Sequence, residues 1–193
     1  MRALALVLAL AVSSVFAAEF EPYSGQPGKD VIWVPTPPEL VEKMLDMARV
    51  TPKDYVVDLG SGDGRNVIAA ARRGARALGV EYNPDMVALS RRNAAREGVA
   101  EKAKFVQGDM FEADISRATV LALFLLPDNM RKLKPKFLAL KPGARIVTNG
   151  YEIDGWEPEE VSRMLTGADV TGASRRRGCQ SDEREDCHQD EAT

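Results

Sequence analysis

The chain has 193 residues, with 26 Lys+Arg against 29 Asp+Glu and a formal charge of -3. Hydrophobic residues make up 45% and charged residues 28%, which excludes wholesale disorder and suits one soluble-type domain with tails. The charge provides no net pull toward nucleic acid, two cysteines cannot staple a disulfide scaffold, and a lone histidine, His188, argues against a His-rich metal centre.

Met1-Arg2 followed by the apolar run Ala3 to Ala18, with Val15-Phe16-Ala17 before the break, reads as a secretory signal peptide over residues 1–17. Cleavage implies a periplasmic or other extracytoplasmic location. The alternative is an uncleaved membrane anchor through residues 3–18, although the run falls short of the roughly 20 residues that span a bilayer.

Residues 18–50 form an N-terminal segment with a cap helix. Thr36-Pro37-Pro38-Glu39 reads as a capping box, and Leu40, Val41, Met44, Leu45 and Ala48 fall on one helical face. Residues 51–165 then alternate strand and helix. Tyr55 to Leu59 is a buried strand, Arg65 to Arg73 a helix stopped at Gly74, and Ala77 to Glu81 the second strand. Asn83-Pro84 starts a helix that runs to Gly98, and Lys104 to Gln107 is the third strand. Thr119 to Leu125, apolar throughout, is a central strand. Asp128 to Leu140 is a helix that Pro135 breaks or kinks, and Ala144 to Thr148 is the fifth strand. This order predicts an α/β, Rossmann-like, doubly wound and mostly parallel sheet, with its ligand beyond the strand carboxyl ends.

After Thr148 the text shows only Tyr151-Glu152 and then polar residues, so further C-terminal strands are expected to be missing. Residues 166–193 read as a disordered tail. Cys179, Cys187 and His188 match no standard zinc spacing, and no metal is expected; in an oxidising compartment the two cysteines have the option of pairing.

The chemistry concentrates at the end of the first strand. Gly60, Gly62 and Gly64 permit a tight turn and a close backbone approach to a ligand, with Ser61 and Asp63 between them. Asp58 stands directly before these glycines. A carboxylate there repels a pyrophosphate and favours an ammonium. Glu81, 23 residues later at the end of the second strand, is placed to accept both hydroxyls of a ribose. Asp109, after the third strand, suits an exocyclic adenine amine, and Met110 can pack on the ring. Ammonium, ribose and adenine together describe S-adenosylmethionine.

The run Asp58-Leu59-Gly60-Ser61-Gly62-Asp63-Gly64, with Glu81 and Asp109, resembles a class I S-adenosylmethionine-dependent methyltransferase. Residues 31–158 are similar to bacterial relatives of the mitochondrial lysine methyltransferases of the ATP synthase c subunit and the adenine nucleotide translocase. The segments carrying that likeness are Trp33-Val34-Pro35-Thr36-Pro37, Val57 through Arg65, Phe124-Leu125-Leu126-Pro127, Leu133-Lys134-Pro135-Lys136, Leu140 through Val147, and Trp156 with Pro158. The resemblance implies lysine N-methyl transfer to a protein substrate by in-line displacement. It places Gly60, Gly62 and Gly64 at the methionine end of the cofactor, and Asp58 at its amino group, directly or through water. Trp33 to Thr36 would fold over the cofactor, and Leu126-Pro127 would border the acceptor.

No general base is assigned, so the catalytic residues stay unknown. Asp128, Asn129 and Glu152 near the expected mouth read equally as caps or surface groups. Arg72, Arg73, Arg76, Arg91, Arg92 and Arg96 read as wet helix faces and carry no strong nucleic-acid signal. Two other functions stay open at this point. One is a nicotinamide oxidoreductase, which Asp58 and the Gly-x-Gly-x-Gly spacing disfavour. The other is a non-catalytic exported binding protein with a truncated fold.

Overall fold

The computed structural model describes residues 20–163 and 169–174. The leader expected at residues 1–17 lies outside them, as do Cys179, Cys187 and His188. Among the described residues no helix is long and apolar enough to cross a membrane.

In chain order the elements are α1 (Pro38–Met47), β1 (Tyr55–Leu59), α2 (Arg65–Arg72), β2 (Arg76–Glu81), α3 (Pro84–Arg96), β3 (Ala103–Gln107), β4 (Val120–Leu123), α4 (Pro127–Leu138), β5 (Arg145–Asn149), β6 (Glu160–Arg163) and β7 (Asp169–Ser174). They build a seven-stranded sheet in the order β3-β2-β1-β4-β5-β7-β6. The first five strands pair in parallel, and β7 runs antiparallel to both β5 and β6. The expected Rossmann-like architecture is present, with β4 at the centre.

Alternation along the strands divides the core in two. Val56, Ala77, Val120, Ala122 and Val147 face one side and pack with Leu40, Val41, Met44 and Leu45 of α1 and the Val67–Ala71 run of α2. Val57, Leu59, Leu121, Leu123 and Ile146 face the other, against Met130, Leu133 and Phe137 of α4. Coverage on both faces is why these strands read as continuous apolar runs.

Three expectations need correction. The C-terminal strands are present: β7 pairs with β5 from Arg145↔Ser174 to Asn149↔Val170. This strand also falls inside the tail expected from residue 166. Its largely polar sequence hid it; antiparallel backbone pairing with β5 and β6 places it in the sheet. The Thr148 and Thr171 hydroxyls bond to each other across that pair. The capping box at Thr36 does not form. Pro37 is the N-cap of α1 and no side chain caps the helix, since Thr36 is buried and its carbonyl oxygen accepts from Arg65. Pro135 does not end α4, which continues to Leu138. The proline orphans only the carbonyl of Arg131, a residue on the exposed side where water can replace the lost partner.

One buried carboxylate clamps the amino ends of the parallel strands. Asp54 accepts from Thr51 N (2.8 Å), Thr51 Oγ1 (2.9 Å) and Thr119 Oγ1 (2.8 Å), and pairs with Arg145. Arg145 Nη1 also donates to the carbonyls of Ala48 (2.7 Å) and Arg49 (3.1 Å), so α1, β1, β4 and β5 share one knot. Burial opposes the Asp54 charge, but the Thr51 amide, the two hydroxyls and Arg145 outweigh it and hold its pKa below 3.8. The knot therefore stabilises the fold at neutral pH, and its contribution fades as pH falls below 3.8 through the lowered folded value. Asp54→Ala is expected to cost about 3 kcal/mol in urea unfolding at pH 7, because it strands Arg145 and two hydroxyls. The difference from wild type should shrink in acid; a loss independent of pH would refute this account.

Candidate functional site

The loop joining β1 to α2 crosses the carboxyl ends of the strands. Its three glycines take φ of 74° (Gly60), 55° (Gly62) and 86° (Gly64), conformations that side-chain-bearing residues rarely adopt. Val80 O accepts from Gly60 N (2.8 Å) and Ser61 N (3.1 Å), which lays the loop against β2. From α3, Asn93 Nδ2 donates to Asp63 O (3.0 Å), and the Ser90 hydroxyl sits 2.8 Å from Gly62 O. The loop is thus held from behind, with its open side toward a cavity of about 280 Å³.

Of the nine residues expected to bind cofactor, eight line this one cavity: Asp58, Gly60, Ser61, Gly62, Asp63, Glu81, Asp109 and Met110. Gly64 is not among its lining residues. A Cβ there would come within 2.7 Å of the Phe105 ring and 3.0 Å of Ser90 Cβ, so this glycine serves the packing of α2 against α3 and β3. Gly62 faces Trp33 instead, whose Nε1 would lie 2.4 Å from an added Cβ.

The carboxylates have distinct surroundings. Glu81 spans the loop and α3, with Oε2 accepting from Gly62 N and Oε1 from Asn83 N, both at 2.9 Å. Each oxygen keeps acceptor capacity beyond those bonds. Asp63 is engaged by Arg65, Nε at 2.9 Å and Nη2 at 2.6 Å, so it neutralises an arginine at the cavity wall. Asp109 pairs with Lys29 and also accepts from Phe111 N (2.8 Å); the Lys29 bond, chiefly, holds its pKa below the ordinary value. Asp58 is 3% exposed, and its hydrogen bond among the described residues comes from Asn66 Nδ2 at 3.1 Å. Burial drives its pKa well above 3.8, Glu81 and Asp63 push the same way, and Asn66 opposes them.

A hairpin covers the cavity. Gly25 N donates to Trp33 O (2.8 Å), Trp33 N to Gln26 O (2.9 Å), and Pro27 bridges to Ile32. At its tip Lys29 meets Asp109 and lies 4.9 Å from the Tyr82 ring centre. Trp33 to Thr36 continue along the cavity wall, so this segment lies where a cover was expected. Opposite, Phe124, Leu125, Leu126 and Tyr151 complete the wall. The outer edge is apolar, since Ile32, Val34, Leu126 and Tyr151 are all exposed there. Among the polar groups weighed for this mouth, Asp128 is exposed and pairs with Arg131, Glu152 is exposed, and Asn129 is buried within α4.

Sequence reasoning passed over Asn66, Arg65, Gln26 and Lys29. Asn66 carried a signal: it is the one polar residue in the Asn66–Ala71 run, all of it buried. Lys29 carried none, because only the hairpin brings it to Asp109.

The cavity suits an adenosyl amino acid. It offers the carboxylates of Asp58, Glu81 and Asp109 as acceptors and a loop whose backbone a ligand can approach. Two of its buried polar atoms, Ser61 Oγ and Asn66 Oδ1, have no partner among the described residues. Among those residues no cluster of His, Cys, Asp and Glu could hold a metal ion. The family model for the ANTKMT methyltransferase domain matches residues 58–160. A protein-lysine N-methyltransferase of Saccharolobus islandicus is 44% identical over 140 residues, which cover 71% of this chain and 87% of that protein. The human lysine N-methyltransferase of the ATP synthase c subunit is 37% identical over 131 residues, but this match spans only 56% of the human protein. A solved RNA methyltransferase from Salinibacter ruber in complex with S-adenosyl-L-homocysteine is 44% identical, with a TM-score of 0.73 over 76% of this chain and 97% of that one. The chain belongs to the ANTKMT methyltransferase-domain family, and it is an S-adenosylmethionine-dependent methyltransferase.

Proposed function

We propose that the chain methylates the side-chain amine of a lysine in a protein substrate. The observation that carries this reading is the cavity itself: an acidic floor around buried Asp58 opens through an apolar rim of Ile32, Val34, Leu126 and Tyr151. The two cations in its wall are already paired, Lys29 with Asp109 and Arg65 with Asp63. A polyanion would need free basic groups beside the mouth. Of the helix arginines, Arg73 is paired with Glu42 and Asp46, Arg72 with Glu97, and Arg91 donates to Phe105 O. The protein-lysine names of the Saccharolobus and human relatives support the same acceptor. The likeness to the Salinibacter RNA methyltransferase keeps RNA as the second reading. The oxidoreductase reading finds no support here, and the truncated-binder reading loses its premise once β6 and β7 complete the sheet.

In this reading Glu81 accepts from the ribose hydroxyls and Asp109 from the adenine amine, with Met110 against the ring. Asp58 receives the cofactor's ammonium, and Gly60 and Gly62 lend backbone where a side chain would intrude. When bound, S-adenosylmethionine supplies a methyl group activated as a sulfonium and open to in-line displacement by an amine. The chain's part is positioning and water exclusion. The walls formed by Phe124, Leu125 and Leu126 desolvate an entering lysine and lower its pKa, which favours the neutral nucleophile. Export or membrane anchoring through residues 3–18 belongs to the same proposal.

Incubation of the full chain with methyl-labelled cofactor, total protein and total RNA is expected to place label on protein lysine; label confined to RNA would reverse the assignment. Glu81→Ala is expected to weaken S-adenosylhomocysteine binding at least about 10-fold in calorimetry, since two hydroxyl bonds to a charged acceptor are lost. Ammonium capture requires ionised Asp58, so affinity should rise with pH through the elevated Asp58 pKa. The unfolded chain ionises Asp58 near 3.8 while the folded chain resists, so this group destabilises the ligand-free fold as pH rises. Asp58→Asn should therefore flatten the pH dependence, weaken binding, and hold or raise the Tm at pH 7. A lower Tm, or a pH profile like that of wild type, would contradict this role.

A further inference from the structure

Asn66 stands on the first turn of α2 and is 4% exposed; Val67, Ile68, Ala69, Ala70 and Ala71 after it are all buried and apolar. Asparagine is a poor helix former and a poor core residue, so its presence in this run calls for a polar task. Half of that task is visible: Nδ2 donates to Asp58 Oδ2 at 3.1 Å. With Asp58 ionised, the state that ammonium capture requires, the carboxylate only accepts, which sets Nδ2 toward Asp58 and turns Oδ1 away from it. Oδ1 is buried without a partner among the described residues, and Asn66 lines the cavity. A buried acceptor left unpaired is costly, so the site is completed by a donor that arrives from the cavity.

We propose that Asn66 is a cofactor-binding residue, its Nδ2 orienting Asp58 and its Oδ1 accepting a second hydrogen bond from the same α-ammonium that Asp58 receives. This rests on the methyltransferase reading above and deepens it. An ammonium presents three donors, more than Asp58, itself 3% exposed, satisfies alone. Phosphate, carboxylate or a neutral ether offers no donor to Oδ1. The pair Asp58–Asn66 therefore selects for a cationic amine, which separates an adenosyl amino acid from plain adenosine compounds. The charged groups facing Asp58 are Glu81 from β2 and Asp63 from the glycine loop, the latter compensated by Arg65. Both carboxylates oppose ionisation of Asp58, and Asn66 is the neighbour that favours it.

The test compares two ligands on the full-length chain by calorimetry: S-adenosylhomocysteine, which carries the ammonium, and 5′-methylthioadenosine, which lacks the amino-acid portion. Asn66→Leu, alike in branching but larger and apolar, and Asn66→Ser, smaller and polar, are both expected to weaken S-adenosylhomocysteine at least about 10-fold. Both should leave 5′-methylthioadenosine within about 2-fold, and both should move the pH midpoint of S-adenosylhomocysteine binding upward, because Asp58 loses its supporting donor. An equal loss for the two ligands would show a packing role and overturn the proposal. So would unchanged S-adenosylhomocysteine affinity or an unmoved pH midpoint. Failure of the wild-type chain to bind S-adenosylhomocysteine would overturn the underlying cofactor reading instead, before any variant is made.

Discussion

Asp58 is a carboxylate carried into the interior at the carboxyl end of β1, and much of the site is arranged around that fact. Removing a charge from water is expensive unless a partner compensates it. Here the described protein partner is an amide, Asn66, and the neighbouring acids Glu81 and Asp63 make ionisation harder still. The glycine loop beside it leaves backbone, not side chain, facing the same cavity. A ligand that brings positive charge would relieve this arrangement, and in the proposed reading the ammonium of an adenosyl amino acid brings it.

The same strand region shows how the fold separates stability from function. Asp54 and Asp58 flank the body of β1, both nearly inaccessible. At the amino end Asp54 has an arginine, a backbone amide and two hydroxyls, and its pKa is lowered. At the carboxyl end Asp58 has one amide, and its pKa is raised. One acid ties α1, β1, β4 and β5 together. The other has no basic partner among the described residues, to the detriment of the ligand-free fold. Sites placed beyond the strand carboxyl ends can bear such a cost because the opposite edge of the sheet is knotted separately.

The cover over the cavity is built differently from its floor. The floor is sheet and helix, fixed by backbone pairing. The hairpin from Gly25 to Trp33 and the segment after it meet the floor through side chains: Lys29 on Asp109 and Tyr82, Gln26 on Met86, Trp33 over Gly62, and Arg65 to Thr36 O.

Much of this was legible in the residues themselves. Short strands of four to six residues, apolar along most of β1, β4 and β5 and separated by amphipathic stretches, specify a parallel sheet with helices on both faces, because only that layering buries such runs. The loop was legible because its three glycines need positive φ, and Asp58, Glu81 and Asp109 were legible because strand ends project toward one place in this topology. What the residues did not disclose depends on partners distant in sequence. β7 was hidden because its largely polar run shows its strand character in its pairing with β5 and β6, not in its pattern. Gly64 looked like a ligand contact until Phe105 and Ser90 were brought against it. Lys29 reaches Asp109 across 80 positions of chain, and the open Oδ1 of Asn66 exists only because its Nδ2 is committed to Asp58. Local pattern determines which elements form and which face each buries, since that is set by periodicity over a few residues. Which polar atoms find partners, and which stay open for a ligand, is decided only when the chain has folded back on itself.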